Sequence, residues 1–183
     1  MKKLLLVIDY QVDFVAKDGK LTAGAPAQAI EDAIIERINR YQTAGADVLC
    51  TLDTHPVTQW QNHPEEDSFP LHCEENTPGW ELFGKLAEMN LDTITKTSYM
   101  MDYDDIDWIV RQYDYIELAG VTTDICVLQN AIGLYNHAAN IGKQLKLVCN
   151  KSLVASFDQK GHKYALDYMS KKLGILLEVE EQV

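Results

Sequence analysis

The chain has 183 residues, and its 16 Lys and Arg against 28 Asp and Glu give a formal net charge of −12 at pH 7. This acidic balance argues against a nucleic-acid partner, and the length predicts a single domain, 1–183, with a full hydrophobic core. The apolar run at 4–8 is too short for a membrane span and lacks a cleavage site after it. Its four cysteines form no CxxC pair, so we expect reduced thiols and a cytoplasmic protein without a membrane partner.

Predicted strands and helices alternate along the chain, with no internal repeat or low-complexity linker. Apolar runs predict strands at 3–9, 47–53, 91–95, 115–119, 144–148 and 175–179. Apolar residues at helical spacing predict helices at 26–43, 80–89, 106–112, 124–139 and 159–173. This order predicts an α/β fold in three layers, a doubly wound and mostly parallel six-stranded sheet with helices on both faces.

A cysteine lies where the fourth predicted strand turns into a helix. Capping residues at 122–124 follow the strand, and Cys126 is on the first turn of the predicted helix. The positive end of the helix dipole lowers the pKa of a thiol there, and the free N–H groups of the turn could hold an oxyanion. Taken alone, Cys126 fits a nucleophile and a small buried core residue equally well.

Other polar residues follow the first three strands. Asp9 ends the first, Asp53 and His55 end the second, and Lys96 ends the third. Ligands of parallel sheets bind beyond the carboxyl ends of the strands, so we expect these side chains to meet Cys126 at one edge. Singly, Asp9 could cap a turn and Lys96 could be an ordinary surface lysine, but their convergence with a cysteine favours catalysis. Burial would raise the pKa of Asp9 and Lys96 would lower it, so its net shift stays open.

The segment between residues 53 and 79 is a loop of more than about twenty residues, a length that indicates function or disorder. Its aromatic residues argue against disorder. Asp53 and His55 are two positions apart at a strand end, so they point to the same side and can share one ion. With a later histidine and carboxylate they would form a mixed set of ligands for zinc, manganese or iron. His63 and Glu65 compete for the next coordination position, and turn-forming or loop polar roles are the alternative for the whole set.

Five motifs in order resemble one protein family over nearly the whole chain. They are IDYQVDF at 8–14, DTH at 53–55, FPLHC at 69–73 with TPG at 77–79, KTSY at 96–99 and GVTTDICV at 120–127. The first and last motifs are similar to those of isochorismatase-like cysteine hydrolases. The DTH and FPLHC motifs resemble the nicotinamidase (pyrazinamidase) family within that superfamily.

The resemblance implies roles for individual residues. A catalytic triad is implied for Asp9, Lys96 and Cys126, and an oxyanion hole for the backbone N–H groups of Thr122 and Cys126. A divalent transition-metal ion, zinc first and manganese or iron as alternatives, is implied with the ligands Asp53, His55, Glu65 and His72. Glu65 matches a position that is a carboxylate in some relatives and a histidine in others. The residues expected against the substrate ring are Phe14, Phe69 and Tyr99, and a cis peptide is expected between Val121 and Thr122.

The implied activity is conversion of nicotinamide and water to nicotinate and ammonia through a thioester, in NAD salvage, with pyrazinamide also hydrolysed. The resemblance also implies a homo-oligomer with a small-molecule substrate. One alternative is a metal-free amidohydrolase of the same superfamily that acts on a carbamoyl, ureido or other small amide. A non-catalytic binding member and an ether-cleaving isochorismatase are disfavoured by the three triad residues. Residues 100–105, MMDYDD, depart from the family pattern, so the pocket wall there stays open.

Overall fold

The computed structural model describes residues 1–178, and a sheet of six parallel strands forms its centre. The strand order is β3-β2-β1-β4-β5-β6. The chain therefore winds to one side from β1 to β3 and to the other from β4 to β6, which creates a switch point between β1 and β4. The strands are β1 Lys3–Ile8, β2 Asp47–Asp53, β3 Asp92–Lys96, β4 Tyr115–Val121, β5 Lys146–Ala155 and β6 Leu176–Glu178.

Helices cover both faces of this sheet. The α-helices are α1 Val12–Val15, α2 Ala25–Gln28, α3 Glu31–Thr43, α4 Val57–Trp60, α5 Tyr103–Gln112, α6 Leu128–Asn140 and α7 Gln159–Leu173. A 3₁₀ helix covers Gly84–Glu88, and a π-helical turn covers Thr123–Val127 before α6. No helix among residues 1–178 has the length and apolar character needed to cross a membrane.

Two apolar clusters hold the three layers together, one on each face of the sheet. Successive residues of β1 pack into opposite clusters, because side chains alternate between the two faces of a strand. Leu4, Leu6 and Ile8 pack with α5, α6 and α7, whereas Leu5 and Val7 pack with α1, α2 and α3. All five are fully buried, and each contributes roughly 1.5–3 kcal/mol of burial free energy. The predicted three-layer α/β fold is confirmed.

Several predicted boundaries differ from the structure for identifiable reasons. The helix predicted at 26–43 is divided into α2 and α3 at residues 29–30. The Ala27 carbonyl accepts the Ile30 N–H at 3.4 Å, a tighter turn than that of an α-helix, and also accepts the Tyr10 hydroxyl at 2.6 Å. The helix predicted at 80–89 is reduced to the 3₁₀ turn Gly84–Glu88. Strand β5 spans Lys146–Ala155, whereas the prediction was 144–148. The prediction ended too early because the polar residues at 150–152 are typical of a strand end but lie inside the strand. Residue 179 of the last predicted strand is outside the described residues.

Gly120 sets the approach of β4 to β1 at the edge where the polar residues collect. Its φ is +107°, and a Cβ there would lie 2.0 Å from the carbonyl oxygen of Ile8. Only glycine fits both the backbone conformation and the space. The close approach brings the end of β1, where Asp9 follows, beside the turn that follows β4.

A charged side chain lies inside the cluster beneath α3. Glu117 is fully buried, accepts a hydrogen bond from the Tyr41 hydroxyl at 2.8 Å and lies 3.5 Å from an Nη of Arg37. Burial raises the pKa of Glu117 above its ordinary value of 4.5, although Tyr41 and Arg37 oppose the shift. Ionised Glu117 is therefore a cost to the fold at neutral pH.

We expect Glu117→Gln to stabilise the fold increasingly as the pH rises above 4.5. A raised folded-state pKa means stability that is fully present below the unfolded-state pKa and lost as the pH rises through the folded-state value, at about 1.4 kcal/mol per pKa unit. The amide cannot ionise, and its oxygen still accepts from Tyr41. Urea unfolding of both proteins at about pH 5 and about pH 8 measures the effect. An advantage of the Gln variant that stays constant with pH would contradict this account.

Candidate active site

The carboxyl ends of four neighbouring strands bring together the polar residues that the sequence singles out. Asp9 follows β1, Asp53 ends β2, Lys96 ends β3, and Cys126 lies in the π turn after β4. Asp53 and Lys96 are register partners across β2 and β3. All four are at least nine-tenths buried. The structure thus places the expected convergence at the switch-point side of the sheet.

Lys96 is the centre of this group. Its Nζ lies 2.7 Å from Asp9 Oδ2, 2.9 Å from Asp53 Oδ1 and 3.7 Å from Cys126 Sγ. It also donates a hydrogen bond to the carbonyl oxygen of Ser98 at 2.9 Å. One ammonium group therefore contacts two carboxylates and the thiol of the candidate nucleophile.

Asp9 is held in a fixed orientation by its neighbour in β2. The Thr51 hydroxyl donates to Asp9 Oδ1 at 2.5 Å, and the Asp9 N–H donates back to the Thr51 hydroxyl oxygen at 3.1 Å. Asp9 has a φ of +50°, a left-handed conformation that is uncommon outside glycine. Its second carboxylate oxygen is left to Lys96. No sequence motif singles out Thr51, which reads as an ordinary strand residue.

Burial has the largest effect on the pKa values of Cys126 and Asp9. It raises the pKa of Asp9 although Lys96 opposes it, which settles the sign that sequence left open. It also raises the pKa of Cys126 well above the usual value; Lys96 lowers this pKa, while Asp9 and Asp53 raise it. This direction is opposite to the lowering of the Cys126 pKa that we expected from the helix terminus, because burial has the largest effect on the thiol. Burial lowers the pKa of Lys96, but the anions around it raise it more, so Lys96 stays charged.

The turn that carries Cys126 has several fixed points. The peptide between Val121 and Thr122 is cis, as expected. The N–H groups of Ile125 and Val127 both donate to the Thr122 carbonyl, at 3.2 and 3.1 Å. A π turn is a rare form that occurs often at functional sites.

Asn130 connects this turn to the segment after Lys96. Its Nδ2 donates to the carbonyl oxygens of Cys126 at 2.8 Å and Tyr99 at 3.1 Å, and its Oδ1 accepts the Met101 N–H at 2.9 Å. Asn130 is fully buried, so these bonds are not exchanged for water. Sequence reasoning missed it because an asparagine within a helical pattern gives no signal of its depth.

A second cluster lies directly beside the first and shares Asp53 with it. Asp53 Oδ2 is 3.0 Å from His55 Nε2 and 3.3 Å from His72 Nε2, and the three ligand atoms lie within 4.8 Å of one another. Glu65 Oε2 is 3.8 Å from His72 Nε2. Burial raises the pKa of Glu65. Burial also raises that of Asp53, but Lys96 and the two histidines outweigh it, so Asp53 has a lowered pKa and stays ionised.

The hydrogen bonds of His72 suit a cation at this cluster. Its Nδ1 lies 2.8 Å from the Pro70 carbonyl oxygen, a contact that requires the proton on Nδ1. Nε2 is buried without a hydrogen-bond partner and lies 3.3 Å from Asp53 Oδ2. Burial lowers the pKa of His72, but Asp53, Glu65 and the bond to Pro70 raise it more. A proton or a metal ion between Nε2 and Asp53 would satisfy both atoms, and a hydrogen bond from the other ring nitrogen to a carbonyl is typical of metal-binding histidines.

The side chains of His63 and Glu65 differ in the groups that they contact. His63 Nε2 lies 2.9 Å from the Thr97 carbonyl oxygen, and its Nδ1 accepts the Glu65 N–H at 3.3 Å. Both ring nitrogens are therefore engaged, and the ring stacks on Trp60 with an interplanar angle of 8°. Glu65 is the group whose carboxylate faces His72.

Two residues of the first motif bind the backbone of the segments that carry Asp53 and His72. The Gln11 side chain accepts the Asp53 N–H at 2.8 Å and donates to the carbonyl oxygens of Asp53 at 2.9 Å and Trp80 at 2.8 Å. Asp13 accepts the N–H of Cys73, the residue after His72, at 2.8 Å. The spacing in IDYQVDF therefore places Asp9 in the cluster around Lys96, and Gln11 and Asp13 beside the cluster around Asp53.

One pocket opens onto both clusters, and its lining includes Cys126 from the first and Asp53, Glu65 and His72 from the second. Phe14, Phe69 and Tyr99, the residues expected against a substrate ring, all line it. Sequence reasoning missed three further lining residues, which lie in different segments and look like ordinary apolar positions: Leu21, Ile125 and Phe157. The open segment 100–105 contributes no lining residue among those described; Asp102 instead caps α5 by accepting the Asp105 N–H.

We expect Asp9→Asn to lower the pKa of Cys126, because it removes an anion beside the thiol and leaves the Lys96 ammonium in place. The pH profile of Cys126 alkylation by iodoacetamide measures this, with peptide mass spectrometry to separate Cys126 from the other thiols. The midpoint should move to lower pH. A midpoint that stays or rises would contradict the electrostatic arrangement described above.

Comparison with known proteins agrees with this geometry. The family model for the isochorismatase domain matches residues 3–181. The chain is 40% identical over 185 residues to the "uncharacterized isochorismatase family protein PncA" of Bacillus subtilis, covering 95% of this chain and 97% of that protein.

Two solved structures carry the same fold. The pyrazinamidase/nicotinamidase of Streptococcus mutans is 36% identical with a TM-score of 0.85, covering 97% of this chain and all (100%) of that one. The pyrazinamidase of Pyrococcus horikoshii in complex with zinc is 25% identical with a TM-score of 0.82, covering 98% and 100%. With a family model that spans almost the whole sequence, the chain belongs to the isochorismatase family.

Proposed function

We propose that this protein is a nicotinamidase, a cysteine amidohydrolase that converts nicotinamide and water to nicotinate and ammonia. The observation that carries the proposal is the shared pocket: Cys126, from the cluster around Lys96, and Asp53 and His72, from the second cluster, line one pocket. The two solved structures named above are, by their names, of a pyrazinamidase/nicotinamidase and a pyrazinamidase. Pyrazinamide, with a similar ring and carboxamide, is proposed as a second substrate.

The chemistry begins with the thiol proton. Asp9 takes this proton as Cys126 Sγ attacks the amide carbon, and such transfer by a positioned group contributes about 10²–10⁴-fold. Lys96 stays charged and stabilises both the carboxylate and the developing thiolate, which its position between them allows. The high pKa of Cys126 means that the proton leaves only as the sulfur attacks.

The tetrahedral intermediate then collapses. The backbone N–H groups of Thr122 and Cys126 are proposed to hold its oxyanion, at about 3 kcal/mol per donor in comparable sites. Asp9 returns its proton to the nitrogen, ammonia leaves, and a thioester to Cys126 remains. Asp9 next takes a proton from the attacking water, and nicotinate is released as the thiol re-forms.

One divalent transition-metal ion, most simply zinc, is proposed at the second cluster, with manganese or iron as alternatives. Asp53, His55, Glu65 and His72 would hold it, a mixed nitrogen and oxygen set that suits these ions. The bound ion supplies a Lewis acid to which a pyridine nitrogen can coordinate. The proposal is supported by the buried Nε2 of His72, which has no hydrogen-bond partner and whose ligand atom lies within 4.8 Å of those of Asp53 and His55.

The cellular setting is proposed from the same activity. A role in NAD salvage is proposed because nicotinate is the product, and a cytoplasmic location is proposed because the four cysteines form no CxxC pair. The net charge of −12 disfavours nucleic-acid partners. Homo-oligomeric assembly stays a prediction from the family resemblance.

We expect Cys126→Ala to abolish turnover, by about 10³-fold or more, because it removes the proposed nucleophile. The substitution removes little volume, so fold and metal content should persist. Ammonia release and nicotinate formation from nicotinamide measure the effect. Cys149→Ala is the matched control, since Cys149 is also fully buried but its thiol interacts with Glu117 and Lys151 and not with the groups around Lys96. Activity within roughly tenfold of the parent would contradict a covalent mechanism.

We expect His72→Ala to lower metal affinity and nicotinamide hydrolysis together, by about 10-fold or more, because it removes a ligand. His63→Ala should change metal affinity much less, because both His63 ring nitrogens are engaged elsewhere. Equilibrium dialysis followed by elemental analysis measures the bound metal.

Benzamide lacks the ring nitrogen and should be a poor substrate of the metal-loaded enzyme. Protein without stoichiometric metal after loading, or equal hydrolysis of benzamide and nicotinamide, would overturn the nicotinamidase proposal. A greater loss of metal in the His63 variant than in the His72 variant would overturn the ligand assignment.

A further inference from the structure

The pocket has a buried end and an exposed end. The groups at its buried end are at most 6% exposed; they are Asp53, Glu65, His72, Thr122 and Cys126. Among the lining residues that the structure describes, Phe157 is the most exposed, at 47%. This aromatic ring, which neither cluster uses, is therefore the part of the pocket lining most open to solvent.

The two buried clusters limit how a pyridine carboxamide can lie in this pocket. Its carboxamide, on ring carbon C3, must reach Cys126, and its ring nitrogen must face the side of Asp53 and His72. The ring nitrogen and C3 are the two neighbours of ring carbon C2, so the C2 edge of the ring points to the buried end. C5 is opposite C2 in a six-membered ring, and C5 therefore points toward the exposed end and Phe157.

We propose that Phe157 closes the exposed end of the pocket against the C5 edge of the substrate ring and thereby selects against substituents at that position. The inference rests on the proposed function and adds a specificity-determining residue to it. An aromatic side chain supplies a broad apolar surface at this edge. Its removal opens the pocket without touching the groups that carry the chemistry.

Phe157 is held in place by the loop that carries it. It follows the end of β5, whose Ala155 pairs with Val121 beside the nucleophile turn. Ser156 is fully buried, its hydroxyl oxygen accepts the Asp158 N–H at 3.1 Å, and its carbonyl accepts from the Gln159 side chain at 3.1 Å. The backbone on both sides of Phe157 is thus fixed, although its ring is half exposed.

The experiment compares kcat/KM for nicotinamide and 5-methylnicotinamide in the parent protein and in Phe157→Ala. The preference for nicotinamide should fall about tenfold, since the variant loses a contact with the unsubstituted ring and gains room for the methyl group. Phe157→Tyr keeps the ring and should keep the preference. Trp108→Ala is the matched control, an equally exposed aromatic (47%) on α5. A fall of less than about fivefold in Phe157→Ala would overturn the proposal.

A binding measurement separates this inference from the proposed function. In a Cys126→Ala background, calorimetry gives the dissociation constants of both amides without turnover. The ratio of the two constants should shrink about tenfold when Phe157→Ala is added, and an unchanged ratio would overturn the role of Phe157. If the parent does not hydrolyse nicotinamide, the proposed function fails, whatever Phe157 does.

Discussion

The buried contact of Lys96 with two carboxylates is the interaction on which the candidate site depends. An isolated ammonium in this position would be too costly, because burial penalises its charge. The carboxylates of Asp9 and Asp53 lie 2.7 and 2.9 Å from Lys96 Nζ and compensate its charge. Without Lys96, each carboxylate would be a buried anion with no cation beside it. The three strands β1, β2 and β3 are therefore coupled by charge at their carboxyl ends as well as by their backbone ladders. The same ammonium is the cation nearest the thiol.

Asp53 extends this network to the second cluster. Its Oδ1 contacts Lys96, whereas its Oδ2 faces His55 and His72. One side chain thus belongs to both halves of the pocket, and Gln11 fixes its backbone from both sides through the N–H and carbonyl. A shift of Asp53 would alter the charge balance at Cys126 and the ligand geometry at the same time. The precision of the site comes from a rigid sheet edge, which favours fixed constellations.

The parts of this arrangement that sequence could predict are those set by local patterns. Residues that directly follow β-strands must meet at one edge of a parallel sheet, so Asp9, Asp53, Lys96 and Cys126 could be grouped before the structure. The direction in which the pKa of Cys126 is shifted could not be predicted, because it depends on how deeply the fold buries the sulfur. Nor could Phe157 be found, since an apolar residue becomes a pocket wall only through tertiary packing.

The raised pKa of Cys126 fits an amidase better than a strongly ionised thiolate would. The amide nitrogen leaves as ammonia only after it is protonated, so the proton taken from the thiol must stay in the site. Asp9, whose own pKa burial raises, is suited to keep it, and Lys96 prevents either anion from being left uncompensated. A thiol that stays neutral until the substrate is in place also resists oxidation and stray alkylation. Burial therefore keeps one proton on Cys126 or Asp9 until the leaving nitrogen requires it, while Lys96 stays charged.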